Sequence, residues 1–209
     1  RAFLEEVERQ PDWINLARVK HGSDAMLSIG KIWLILSLGP GSLAHTYSSP
    51  SIASILVKTG NLTKMAKRRL LETGMWQITS ILPDGLLPGA NGYISNLQVR
   101  LFHAKVRATL LQRNWDVSVT GIPINQIEMA RTWLDFTYIP FCALQKFGIT
   151  FTTSELADLY HFWQLIAHLQ GIDTRIYREV TDQQSAQELL ELIDSTSEGA
   201  NQDSRALVQ

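Results

Sequence analysis

The chain has 209 residues, 45% apolar and 19% charged, with a formal net charge of -1. That length and composition suit one globular domain with a real core, or two small ones, and the near-zero charge gives no global cationic field of the kind that marks nucleic-acid binders. Cys142 is the only cysteine, which excludes an intrachain disulfide, a CxxC zinc site and a CxxCH haem-attachment motif and leaves the compartment open.

Charge is distributed unevenly. Residues 181–209 hold six acids against Arg205, a net -5 that leaves +4 for the rest. The longest apolar run, AMLSIGKIWLILSL at 25–38, is interrupted by Lys31 and ended by Gly39-Pro40-Gly41. It falls short of the roughly 20 residues a membrane span needs, so a core helix is expected and no transmembrane segment. The start at Arg1 rather than Met points to a processed or truncated N-terminus.

Helical periodicity dominates, and no period-2 run is long enough for a sheet. A short helix over 2–9 stops near Pro11, and two more follow at 12–21 and 24–38. GPGSLAHTYSSPS, 39–51, is expected as a loop. A helix over 51–60 closes on Gly60, and a longer amphipathic helix covers 63–80. PDGLLPGANG, 83–92, is a second loop before a helix over 93–114. VSVTGIP, 117–123, is a connector with room for a brief strand. Pro123 suits the first turn of a helix over 123–147, which Pro140 should kink. Thr152-x-x-Glu155 and Thr181-x-x-Gln184 read as capping boxes for helices 152–170 and 181–195. The last dozen residues are expected to fray. The reading is all-α: a single helical bundle-like domain over 1–180, then an acidic helix and flexible tail over 181–209.

Five histidines are the first candidates for chemistry. His21 reads as a helix C-terminal cap, and His45 as a loop residue with local hydrogen bonding. His161 and His168 share a helix face, but seven residues span about 10 Å of rise, too far for one ion, so both read as satisfied structural histidines. His103 differs. In RLFHAKVR, 100–107, Arg100, His103 and Arg107 fall at i, i+3 and i+7 and share a face. The face is either solvated or holds a group needing a nitrogen ligand and positive charge. Nearby guanidinium groups keep an imidazole neutral, and arginines pair with carboxylates; haem offers an iron and two propionates. On spacing alone the solvated face remains the leading reading.

Two further clusters stand out. Arg69, Thr73 and Trp76 share a face in KRRLLETGMW, 67–76, with Glu72 beside them: either a small-molecule wall, or an exposed Arg69–Glu72 pair with Trp76 in the core. In GIPINQIEMARTW, 121–133, Asn125, Gln126 and Thr132 are polar groups on an apolar helix that either cap it or brace a neighbouring loop. Cys142, in an apolar stretch after Pro140, reads as a buried structural thiol.

In order along the chain, YSSP (47–50), TGNL (59–62), RRLLET (68–73), RLFHAKVR (100–107), GIPINQ (121–126) and FWQLIAHLQGI (162–172) resemble the landmarks of the rubber oxygenase (latex clearing protein)/MpaB-like oxygenase family. The resemblance covers most of residues 10–172, and Arg-x-x-His-x-x-x-Arg is its most specific piece. It implies an all-helical fold around a pocket for non-covalent haem b, with His103 as the proximal iron ligand. Arg100 and Arg107 would support haem or structure, Arg69 and Thr73 would lie on the distal side, and Thr132 would match a further pocket threonine. It implies a haem-dependent oxygenase that uses dioxygen on an apolar, prenyl-like alkene and cleaves its C=C bond. The rival is a non-catalytic haem- or lipid-binding helical protein. The chain departs from the rubber oxygenases at Glu72, where they carry a lysine that ligates iron in a closed state. Closure by that route is not expected here, MpaB-like members are the better comparison, and Glu72 becomes a candidate proton acceptor.

Overall fold

The computed structural model describes residues 7, 9–58, 62–113, 115–197 and 199–208. Among them there is no strand, as the missing period-2 pattern requires. The helices are α1 (Leu16–Ser28), α2 (Lys31–Leu36), a π-helix (Ser37–Leu43), α3 (Ala44–Ser48), α4 (Pro50–Lys58) and α5 (Leu62–Ile81). They continue with α6 (Asn91–Gln112), α7 (Val117–Thr120), α8 (Gln126–Phe136), α9 (Tyr138–Lys146), α10 (Thr153–Gln170), α11 (Thr174–Tyr177), α12 (Gln183–Ser195) and α13 (Gln202–Val208). The expected helix over 2–9 and the Gly60 cap lie outside the described residues, apart from Val7 and Arg9.

α10 is the axis of the core. It opens with the expected Thr152–Glu155 capping box and ends on Gly171 at φ 81. Leu159, Tyr160, Phe162, Trp163, Ile166 and Leu169 are all buried along it, because helices lie on both its flanks and no polar face is needed. α1 packs along α10 through Gly22, where a Cβ would sit 2.5 Å from the Asp158 carbonyl. That close approach explains why the chain does not break at 22–23. The expected pair of helices at 12–21 and 24–38 is instead one helix to Ser28, and the break falls at Gly30, φ 80.

Other boundaries shift for readable reasons. The 39–51 segment is helical rather than a loop, since the Ser42, His45 and Thr46 side chains bond to Asp135 of α8. VSVT forms a helical turn, not a strand, because the Asp116 side chain caps it at Ser118. The 123–147 segment is two helices. Pro123 lies in the turn before α8, which Asn125 caps. The break at Thr137 (φ -117, ψ -84) precedes Pro140 because its ring would meet the residue 136 carbonyl in a continuous helix. The last box is Asp182–Ser185 rather than Thr181–Gln184. The tail is not wholly frayed: α13 packs on α3 and α4, with Ser54 bonded to Asp203 at 2.9 Å.

Candidate functional site

α5 and α6 form an antiparallel pair joined by the 82–90 loop. At its closed end the indole N–H of Trp76 donates to Asn96 Oδ1 at 2.9 Å, and Asn96 Nδ2 donates to Ser80 at 3.0 Å. These contacts set the level of one helix against the other. Each step back along α5 matches a step forward along α6, at the same 1.5 Å rise. His103 therefore stands level with the 69–73 stretch of α5, the other candidate cluster. α8 supplies a third wall. Phe136 packs edge-on to Trp76 at 5.1 Å and Met129 meets Arg107 at 3.9 Å, so Thr132 lies between those two points.

His103 is the unusual group in this wedge. Its Nδ1 is fully enclosed and has no hydrogen-bond partner. Burial first, and the Arg107 charge second, lower its pKa from the usual 6.5 to about 4, so the imidazole is neutral at pH 7 with lone-pair capacity to offer. A neutral imidazole with an unpaired Nδ1 is chemically able to offer a nitrogen to a metal or haem iron. Among the described residues no group of three or more His, Cys, Asp or Glu converges as a protein-only metal site would, whereas a haem requires as little as one protein ligand.

The two flanking arginines have different surroundings. Arg107 donates from Nε to the Pro123 carbonyl at 3.1 Å, and from Nη2 to the Ile124 carbonyl. Ile124 has φ 53, a costly conformation for a β-branched residue, and Arg107 clamps it. Arg100 lies over Gly171, where a Cβ would come within 2.6 Å of its Nε; this crowding and the positive φ both call for glycine.

The distal candidates are less enclosed. Arg69 is half-buried and Thr73 exposed. Glu72 pairs with Arg68 at 2.7 Å, not with Arg69, and its side chain is 59% exposed. The ion-pair alternative is thus right in kind but wrong in partner, and a base role for Glu72 loses the burial that would tune it. Thr132 spends its hydroxyl on the Glu128 carbonyl at 2.9 Å.

Sequence reasoning missed three buried ionisable residues. Asp135 is wholly buried and accepts from His45 Nδ1 and Thr46 Oγ1, both at 2.6 Å. Arg131, beside it on α8, pairs with Asp194 of α12, donates to Ser48 at 3.1 Å and sits 3.4 Å from His45 Nε2. His45 is therefore a long-range clasp, not a local loop residue. One acid inside the apolar run TWLDFTYIPF was the available signal, since a charge there needs partners. Glu128 is also buried, with Oε1 unpaired. Burial raises its pKa, against hydrogen bonds from Ser51 and backbone groups and the Arg107 charge. Asn125-x-x-Glu128 could have been read as a capping box, which it is.

The remaining expectations divide. His21 is a mid-helix surface residue 3.3 Å from Asp158, not a cap. His161 and His168 are structural as expected: His161 accepts the Asn15 N–H at 3.0 Å, and both stand edge-on to Trp13. Gln126 braces the next loop, donating to the Gly171 carbonyl and accepting from the Asp173 N–H. Cys142 is half-buried rather than buried, 3.8 Å from Gln183.

Residues 22–209 match the family described as "ER-bound oxygenase mpaB/B'/Rubber oxygenase, catalytic domain". The chain belongs to this family. A rubber oxygenase from Streptomyces sp. (strain K30) is 26% identical over 193 residues, which are 90% of this chain and 46% of that protein. The structure of latex clearing protein LCP in the closed state matches with a TM-score of 0.78 at 22% identity, over 99% of this chain and 56% of that one. That likeness establishes the all-α fold, and the chain spans about half the length of these relatives.

Proposed function

We propose that the chain is a haem b-dependent oxygenase domain that uses dioxygen on an apolar, prenyl-like alkene, with oxidative cleavage of the C=C bond into two carbonyl ends. The observation that carries the haem assignment is His103: a neutral, enclosed imidazole with an unpaired Nδ1, level with Arg69 and Thr73 across a helix wedge. Membership of an oxygenase family supports the reaction class.

In this reading His103 holds the iron, and haem supplies the dioxygen chemistry. Burial, aided by the Arg107 charge, keeps the imidazole unprotonated, and Arg107 fixes the 123–124 turn. Arg69 and Arg100 are the arginines that would meet propionates, and Thr73 would offer a hydroxyl at the wedge, whereas the Thr132 hydroxyl donates to the Glu128 carbonyl. Trp76 and Phe136 close its inner end and exclude water. Glu72, paired with Arg68 and 59% exposed, lacks the burial that would favour a base role.

The test is dioxygen uptake by hemin-loaded protein given a short polyisoprene or prenyl alkene, with carbonyl products trapped by hydrazine reagents. The reading predicts uptake matched by carbonyl formation and lost in His103→Ala. A protein that takes up hemin but yields no product with any such alkene is the non-catalytic haem binder instead.

A further inference from the structure

We propose that α2 is a docking element for an anionic phospholipid surface. The helix reads KIWLIL, five apolar residues of six, yet none of the six is buried. Ile32 is 70% exposed and Ile35 58%, with Leu36 and Trp33 also open. The turn at Gly30 produces this: the chain bends by 90° between α1 and the segment that begins with α2, which takes α2 off the α1 axis. Trp33 rests against Phe147 at 5.5 Å, and Phe147 is itself 49% exposed. The two rings and three aliphatic side chains form one apolar patch, and contiguous apolar surface of this kind marks an interaction site.

Charge identifies the occupant. Lys31 opens the helix and Lys146 precedes Phe147, both exposed. A second copy docked through the same face about a two-fold axis would bring these like charges together. A bilayer with acidic headgroups satisfies both features: apolar side chains enter the headgroup–acyl boundary, lysines reach back to phosphates, and indole and phenyl rings sit at the interface. No single helix among the described residues is long and apolar enough to cross the membrane by itself, and the proposed contact is a peripheral one. The inference does not depend on haem.

The experiment is co-sedimentation of the full chain with extruded vesicles of phosphatidylcholine, with and without phosphatidylglycerol. The expected result is binding to the anionic vesicles that weakens with salt. Ile32→Asp with Ile35→Asp should abolish it, and Lys31→Glu with Lys146→Glu should weaken it by about tenfold or more. Since no α2 side chain is buried, neither pair should disturb folding, which circular dichroism checks. As a second readout, vesicles should blue-shift the tryptophan emission of the wild type, and Trp33→Phe should lose that shift. Failure to bind anionic vesicles, or binding unchanged in the aspartate variant, overturns the proposal. So does a wild-type dimer in sedimentation velocity that Ile32→Asp dissociates, which would assign the face to a second copy.

Discussion

His161 and His103 are both held away from solvent by packed helices, yet their ring nitrogens are treated differently. On α10, His161 Nε2 takes the Asn15 N–H at 3.0 Å, and Trp13 stands edge-on to the ring. On α6, His103 Nδ1 is enclosed and has no hydrogen bond. The contrast extends to the surroundings. In the α1–α10 region Arg18 lies on Asp158, and the Gln164 amide donates to the carbonyls of Tyr177, Arg178 and Val180, while the Trp163 indole N–H is buried without a partner. The α5–α6 wedge instead leaves Leu71, Met75, Leu101 and Phe102 exposed beside an unpaired imidazole. A fold optimised for stability alone would not leave an enclosed nitrogen unsatisfied, at a cost of roughly 1–3 kcal/mol. The imidazole shares that condition with Trp163 Nε1 and Glu128 Oε1 and differs from them as a neutral ring nitrogen beside exposed apolar side chains.

The contrast can be strained at several points. The largest effect belongs to the buried Asp135 clasp. Asp135→Ala strands His45, Thr46 and Arg131 and should cost about 3–5 kcal/mol in chemical denaturation; a loss under 1 kcal/mol would mean that the clasp is not a structural element. Next is the pH dependence of the unsatisfied side. His103 has a folded-state pKa near 4 against 6.5 when unfolded, so the unfolded chain binds the extra proton first. The stability it contributes is complete above about pH 6.5 and is lost as pH falls to about 4, a change of at most about 3 kcal/mol. His103→Leu should flatten that part of the stability–pH curve, while His161→Gln should retain most of it. Arg107→Met releases the 123–124 turn, with an expected cost of about 2 kcal/mol, and should raise the His103 pKa by NMR titration. The smallest effect is Glu72→Ala, within about 0.5 kcal/mol, since the Arg68–Glu72 pair is exposed. A larger change in stability or in hemin uptake would give Glu72 a role that its placement denies.

The all-α class, the α10 capping box and the structural roles of His161 and His168 were legible in the sequence, because each depends on local pattern. The Arg-x-x-His-x-x-x-Arg face was legible as a cluster, but its two arginines were not separable. Only tertiary structure puts Arg107 on the Pro123 and Ile124 carbonyls and Arg100 over Gly171. Boundary errors share that cause. Gly22 looks like a breaker until α10 is seen packed against it, and GPGSLAHTYSS looks like a loop until Asp135 supplies partners for Ser42, His45 and Thr46. Glu72 was placed near the right helix level but paired with the wrong arginine: Arg68 and Arg69 are adjacent in sequence, and only the i, i+4 geometry favours Arg68.

The most direct test of the unpaired-imidazole account is a hemin titration of the purified chain followed in the Soret region, with His103→Ala and His161→Gln in parallel. The account predicts saturable uptake with a histidine-ligated spectrum in the wild type and in His161→Gln, and loss of that spectrum in His103→Ala. Identical spectra in the wild type and His103→Ala would contradict it.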